Sequence, residues 1–167
     1  MKKYELTEET VTVYGKTLYR IRAVRDFGSV KTGEFGGYIE KEENLSHFGN
    51  AWISGDAWVY GDAKVYGDAR VSGDAWVYGN AWVYGNAEVF NTRHFFVQGP
   101  IGSRDGYVTF YRTKDDTIGV RCGCFSGSLQ KFVDRVEETH GGSRYEKEYK
   151  IAAELAKVCI RLEGESR

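Results

Sequence analysis

The residues whose types and spacing could do chemistry are concentrated between positions 99 and 121. Gly99-Pro100-Ile101-Gly102-Ser103-Arg104-Asp105-Gly106 sets glycine backbone N–H groups, a hydroxyl and a guanidinium side by side. That donor set suits a phosphate or a carboxylate. Tyr107, Thr109 and Tyr111 follow at alternate positions, so a strand would carry all three on one face. Aromatic rings on such a face can stack on a base or another ring. Arg121, on the expected partner strand, would face the same way. The expected ligand-binding set is therefore Ser103, Arg104, Tyr107, Thr109, Tyr111 and Arg121. No P-loop or dinucleotide fingerprint accompanies it, so a plain interdomain linker followed by a half-buried hairpin explains the same residues.

Other reactive side chains are sparse. The histidines are His47, His94 and His140, and none has a local context that marks a general base. His140 falls at the end of an expected helix, where its charge suits the helix dipole. Cys122-Gly123-Cys124 invites a zinc reading, but zinc needs about four ligands and Cys159 completes the set poorly. Two small apolar side chains on the buried face of a strand explain the pair better. No catalytic residue, metal ligand or cofactor is assigned. Arg20 and Arg22 alternate on an N-terminal strand and read as a solvated face.

The elements that must position these groups are dominated by a repeat. From Asn50 to Phe90 one six-residue unit recurs: NAWISG, DAWVYG, DAKVYG, DARVSG, DAWVYG, NAWVYG, NAEVF. Ala at 51, 57, 63, 69, 75, 81 and 87 is followed two places on by Ile53, Val59, Val65, Val71, Val77, Val83 and Val89. Two apolar positions flanking one outward residue make a short strand with one buried face. The Gly-Asp or Gly-Asn that follows supplies the conformational freedom of a sharp corner. A period this strict sets an architecture rather than a few local elements.

The pattern resembles the hexapeptide-repeat proteins, an aliphatic residue and a small one kept in phase through seven copies. The resemblance implies a left-handed parallel β-helix with three hexapeptides per triangular coil. Residues 18 apart then stack: Trp52, Arg70 and Glu88 on one face, Trp58, Trp76 and His94 on the second, Lys64 and Trp82 on the third. Aromatic surface of that extent is normally covered, and relatives cover it as homotrimers. Stacked aromatics that stabilise the sheet are the plainer reading. Asp and Asn at the corners read as structural, since a calcium ladder needs several converging carboxylates. Many relatives are acyl- or acetyltransferases with a histidine base, which would here be His94 or His47 with coenzyme A. The stretch LYRIRAVRDFGSVKTGEFGGYIEKEENLS also resembles a group of hexapeptide proteins of bacteria and their phages.

Flanking segments complete the expectation. Residues 10–25 read as a hairpin turning at Tyr14-Gly15-Lys16. Leu45 to Ile53 is two residues longer than the repeat, so a bulge is expected near His47-Phe48. Strands over 106–112 and 118–125 form a second hairpin. Helices are expected over 129–139, capped by Ser126 or Ser128, and over 145–162, with Tyr149, Ala152, Ala156 and Cys159 buried. The expected fold class is mainly β, a left-handed parallel β-helix with a small C-terminal α+β (ββαα) module. The expected domains are an N-terminal cap hairpin over 1–35, the β-helix over 36–101 and the ββαα module over 102–167.

Bulk properties narrow the function. A formal net charge of −1 argues against binding nucleic acid polymers in general. The part after residue 92 is slightly basic, which suits a small anion. Three cysteines make no even-numbered disulfide framework, pointing to a reducing, cytoplasmic setting. The opening MKKYELTEETV has no apolar run and no segment approaches membrane-spanning length, so no membrane partner is expected. The favoured expectation is non-enzymatic sequestration of a small anionic, nucleotide-type ligand by a homotrimer, in the form of a phage protein that captures a host defence signal. The alternatives are an acyltransferase of the hexapeptide class and a structural or protein-interaction scaffold.

Overall fold

The structure is a computed structural model that describes residues 1–163. The chain divides into two compact units, Met1–Thr92 and the part from Arg93 onward.

The first unit opens with an antiparallel hairpin, β1 (Tyr4–Val13) and β2 (Lys16–Ala23), turning at Tyr14-Gly15, where both residues take positive φ. Then comes β3 (Phe35–Ile39) and a run of two-residue strands: β4 (Trp52–Ile53), β5 (Trp58–Val59), β6 (Lys64–Val65), β7 (Arg70–Val71), β8 (Trp76–Val77), β9 (Trp82–Val83) and β10 (Glu88–Val89). Each is short because the hexapeptide leaves room for one outward and one inward residue between corners. The corner glycines Gly55, Gly61, Gly67, Gly73, Gly79 and Gly85 have φ from +62° to +73°, a region that costs a side-chain-bearing residue about 1 kcal/mol or more.

Strands pair in parallel with the copy three hexapeptides later. Trp52 lies beside Arg70 and Arg70 beside Glu88; Trp58 lies beside Trp76, and Lys64 beside Trp82. Leu45 bridges Val65 at a wider interval, so the two extra residues between these pairings are absorbed around His47-Phe48, with Phe48 exposed. The repeated Ala and Ile or Val side chains are all essentially inaccessible, a narrow inner column held by the same apolar burial in every rung. At one corner Asn50 donates to Asp68 Oδ1 at 2.9 Å, which replaces a like-charge contact with a hydrogen bond.

The exposed end of this stack is closed by side chains that replace missing strand donors. Asn44 Nδ2 donates to the carbonyls of Gly61 at 3.1 Å and Ala63 at 2.8 Å. Lys3 Nζ donates to the Ala51 carbonyl at 2.6 Å, and Tyr4 Oη to that of Leu45 at 2.7 Å. Buried carbonyls without partners are costly, so these contacts are structural. Burial, with the Arg25 charge second, pushes the Lys3 ammonium down to about 8.

The second unit is a four-stranded antiparallel sheet in the order β11 (Phe95–Ile101), β12 (Gly106–Arg112), β13 (Ile118–Cys122), β14 (Phe125–Ser128), followed by α1 (Leu129–His140) and α2 (Arg144–Cys159). Ser128 Oγ caps α1 by accepting from Lys131 N, and Ser143 Oγ caps α2 by accepting from Glu146 N. Val108, Phe110, Ile118 and Val120 from the sheet pack with Phe132, Val136, Ala152, Ala153, Ala156 and Ile160 from the helices and the end of α2.

The left-handed parallel β-helix with a ββαα module, expected from the hexapeptides, is therefore corrected. The chain forms several small sheets. One is mixed and five-stranded, in the order β1-β2-β3-β5-β8; others are β10-β7-β4 and β6-β9. The mixing arises because the antiparallel hairpin β1–β2 adds to β3, which itself pairs in parallel with β5. Edge pairing follows backbone geometry, which side-chain periodicity does not encode. The C-terminal unit has four strands rather than two, because β11 joins β12 and the chain after Cys122 turns back as β14.

Candidate functional site

Ser103 and Arg104 lie exposed in the turn between β11 and β12. The turn is set by Gly102, whose φ is +77° and whose missing Cβ leaves room for the Tyr149 hydroxyl. Any other residue at 102 would meet both backbone strain and that hydroxyl. Gly102 N donates to Glu148 Oε2 at 2.7 Å. Glu148 Oε1 in turn accepts from Arg144, with Nη2 at 3.1 Å and Nε at 3.2 Å. The Gly102 N–H, then Arg144, hold the Glu148 carboxyl below the usual range.

Tyr149 is the second anchor of the turn. Burial, followed by the neighbouring Cys122, pushes its hydroxyl up to about 12, while the Arg104 charge acts in the opposite direction. The phenol and the Cys122 thiol hydrogen-bond, and burial raises that thiol. A protonated hydroxyl can therefore stay under the turn at any physiological pH. The ring packs edge-on to Phe132 at 5.7 Å and lies 5.7 Å from the His140 ring.

Along β12 the expected residues separate by burial. Tyr107 is 43% exposed, whereas Thr109 and Tyr111 are buried. Thr109 pairs with Arg121 across β12 and β13, and Tyr111 pairs with Gly119, over which its ring lies. Arg121 is half-buried, with Nη1 3.5 Å from the Cys124 carbonyl. The strand thus brings Thr109, Tyr111 and Arg121 onto one face, while the accessible groups are Ser103, Arg104 and Tyr107.

Nothing in the sequence places Glu148 or Arg144 at this turn, and Tyr149 is placed only in the buried stripe of a helix. Glu148 and Gly102 are 46 positions apart, so no local spacing announces the contact. The signal available was the Arg144–Glu148 pair at helical i, i+4 spacing.

The remaining candidates have structural surroundings. Cys122-Gly123-Cys124 is not continuous strand: Gly123 has φ +56° and starts a turn, leaving Cys122 half-buried and Cys124 exposed. The expectation of two buried thiols on one face is thus corrected. No group of metal-ligating side chains is found among the described residues. His47 Nδ1 accepts from Lys3 N at 3.3 Å, and its ring stacks on Tyr4 at 4.2 Å. His94 is buried, and burial followed by the Arg112 charge lowers its pKa. Beside the β13–β14 turn lies a groove of about 520 Å³ over Phe125. Lys131 and Arg135 oppose Asp134 and Glu138 there, so it selects neither sign of charge.

The comparisons with known proteins define a class of repeat. Residues 63–79 are similar to the YdcK β-solenoid repeat, the stretch in which β6 to β8 alternate with glycine corners. That likeness covers the repeat alone and carries no transferase identity. No curated protein matches the chain. Among the described residues no helix is long and apolar enough to cross a membrane.

Proposed function

We propose that the protein binds a small anionic, nucleotide-type ligand at the β11–β12 turn and holds it without turning it over. The observation that carries the reading is the exposure of Ser103 and Arg104 on the turn, and of Tyr107 at the start of β12, with Gly102 held by Glu148 and packed under by Tyr149. Arg104 and the Ser103 hydroxyl supply charge and a donor for a phosphate or carboxylate. Tyr107 supplies a face for a ring. Thr109, Tyr111 and Arg121 continue the same face of the sheet away from the turn. Acyl transfer is less well supported, because His47 stacks on Tyr4 and accepts from Lys3 N, and His94 is buried with its pKa lowered by that burial.

The repeat unit serves in this reading as a scaffold for a homotrimer, supported by the outward aromatics Tyr78 and Phe90, which are 45% and 37% exposed. Capture of a host nucleotide signal by a phage protein is its most specific form, resting on the resemblance of the N-terminal stretch. A thermal-shift panel of nucleotides, cyclic nucleotides, ADP-ribose derivatives and coenzyme A tests it. Nucleotides should stabilise the wild type, Arg104→Ala should abolish the shift, and the ligand should be recovered unchanged. Stabilisation by coenzyme A with consumption of acetyl-coenzyme A would overturn it.

A second reading, a protein-interaction scaffold, is favoured by one observation. Ile151, Leu155 and Val158 follow one side of α2 and are 68%, 43% and 72% exposed. Isolated exposed aliphatics are ordinary, but three in one stripe are a docking signal. Loss of a captured partner in Ile151→Glu, with nucleotide binding intact, would favour it.

A further inference from the structure

We propose that the Glu148 carboxylate is an internal stand-in for the anionic group of the ligand, and that binding displaces it from the Gly102 amide. The inference rests on the reading of the β11–β12 turn as an anion site. Its geometric basis is the bond from Gly102 N to Glu148 Oε2 at 2.7 Å. A backbone N–H beside a hydroxyl and a guanidinium is the group a phosphate or carboxylate would take. A carboxylate of the chain, Glu148, takes that amide.

Two further contacts make the displacement reasonable. Glu148 is 26% exposed and its other oxygen is held by Arg144, itself 80% exposed. Release from Gly102 therefore leaves the carboxylate paired and solvated rather than stranded in an apolar core. Arg104 stands two residues after Gly102 in the same turn and is exposed. An anion drawn to the turn by Arg104 meets repulsion from the Glu148 carboxylate on the Gly102 amide. Moving Glu148 toward Arg144 relieves the repulsion and frees the amide in one step.

The role differs from simple fastening of the turn. Glutamine at 148 retains a carbonyl oxygen that accepts from Gly102 N, so Glu148→Gln preserves the fastening while removing the charge and the oxygen that accepts from Arg144. Titration calorimetry with inorganic pyrophosphate and with ADP, near neutral pH and at fixed ionic strength, separates the two roles. Glu148→Gln is expected to bind about five- to ten-fold tighter than wild type, since a like charge at the site opposes the anion. Arg104→Ala should weaken binding in both backgrounds. Equal or weaker binding by Glu148→Gln, with the wild type still binding, overturns the displacement while leaving the anion site standing. Absence of binding by both proteins overturns the site and the displacement together. The Gly102 amide resonance of the wild type gives a test that needs no variant. It should move on saturation with pyrophosphate as its acceptor changes, and an unmoved resonance in a saturated sample overturns the proposal.

Discussion

The repeat unit and the C-terminal unit bury apolar surface in opposite ways. In the repeat, small Ala and Val side chains form a thin column, and each rung makes parallel hydrogen bonds only to neighbouring rungs. Its large aromatics lie beside this column rather than in it, Trp58 stacked on Trp76 and Tyr60 on Tyr78. Trp52 and Tyr60 are covered by the N-terminal hairpin and the segment after it. In the C-terminal unit the large aromatics are inside, and Phe110 meets Phe96 on the sheet and Phe132 on α1. A periodic stack sets similar residues over similar residues, which favours stability spread along its length. An aperiodic unit brings unlike groups from distant positions to one place. The constellation of Gly102, Arg104, Glu148 and Tyr149 could form only in the second kind of structure.

The largest expected effect is at Phe110, which is fully buried. Phe110→Ala should cost the C-terminal unit about 3–5 kcal/mol, since removal of a buried ring leaves a cavity that neighbours fill only in part. Val71→Ala in the repeat column removes far less volume and should cost about 1–3 kcal/mol. The two losses can be read separately. Both helices belong to the C-terminal unit, whereas all four tryptophans, at 52, 58, 76 and 82, belong to the repeat. Helical ellipticity should therefore report Phe110→Ala, and tryptophan emission should report Val71→Ala. Equal costs in denaturant would contradict the contrast between a shared nucleus and a distributed column.

The same contrast explains what could be read from the sequence. The six-residue period identified the short strands, and the resemblance to hexapeptide-repeat proteins, with three hexapeptides per coil, implied the neighbours Trp58–Trp76 and Lys64–Trp82 that the strands form. The turn at Tyr14-Gly15 and both C-terminal helices were legible for local reasons of turn chemistry and apolar spacing. The union of β2 with β3 was not, because antiparallel edge pairing uses backbone groups common to every residue. Alternation placed Thr109, Tyr111 and Arg121 on one face, yet it could not tell that Tyr107 is exposed and Tyr111 covered. Exposure depends on what packs over a face, and that is tertiary. The partners of Gly102 were hidden for the same reason, lying on a helix far along the chain.

A smaller effect should appear in the outer aromatic ladder. Trp58 and Trp76 have ring centroids 4.7 Å apart and planes within 15°. A double-mutant cycle with Trp58→Leu and Trp76→Leu, followed by calorimetric unfolding, should give a coupling of about 0.5–1.5 kcal/mol. The Lys64–Trp82 pair, with the ammonium 5.5 Å from the ring, should give about 0.5–1 kcal/mol. A coupling near zero for Trp58–Trp76 would mean that the ladder leaves stability unchanged and is retained for another reason. Ligand or partner binding by that face would then need direct examination.

The smallest expected effect concerns pH, and it appears in both units through different contacts. Burial lowers the pKa of His47 below the ordinary 6.5, with Glu42 opposing the shift and Lys2 and Lys3 reinforcing it. Burial also lowers the pKa of His94, where Arg112 reinforces the shift while Asp116 and Glu163 oppose it. A depressed histidine binds fewer protons when folded than when unfolded, so the stability linked to it is present above pH 6.5 and lost as pH falls through the lowered value. Both units should therefore become less stable on acidification from 6.5 toward 4.5, the ordinary glutamate value at which depressed carboxylates such as Glu42 and Glu148 begin to add to the loss. His47→Gln should flatten this dependence in the tryptophan signal, since glutamine can still accept from the Lys3 amide. His94→Gln should flatten it in the helical signal alone. Loss of the dependence in both signals from either single substitution would show that one shared group governs acid stability and that the two units do not titrate through separate histidines.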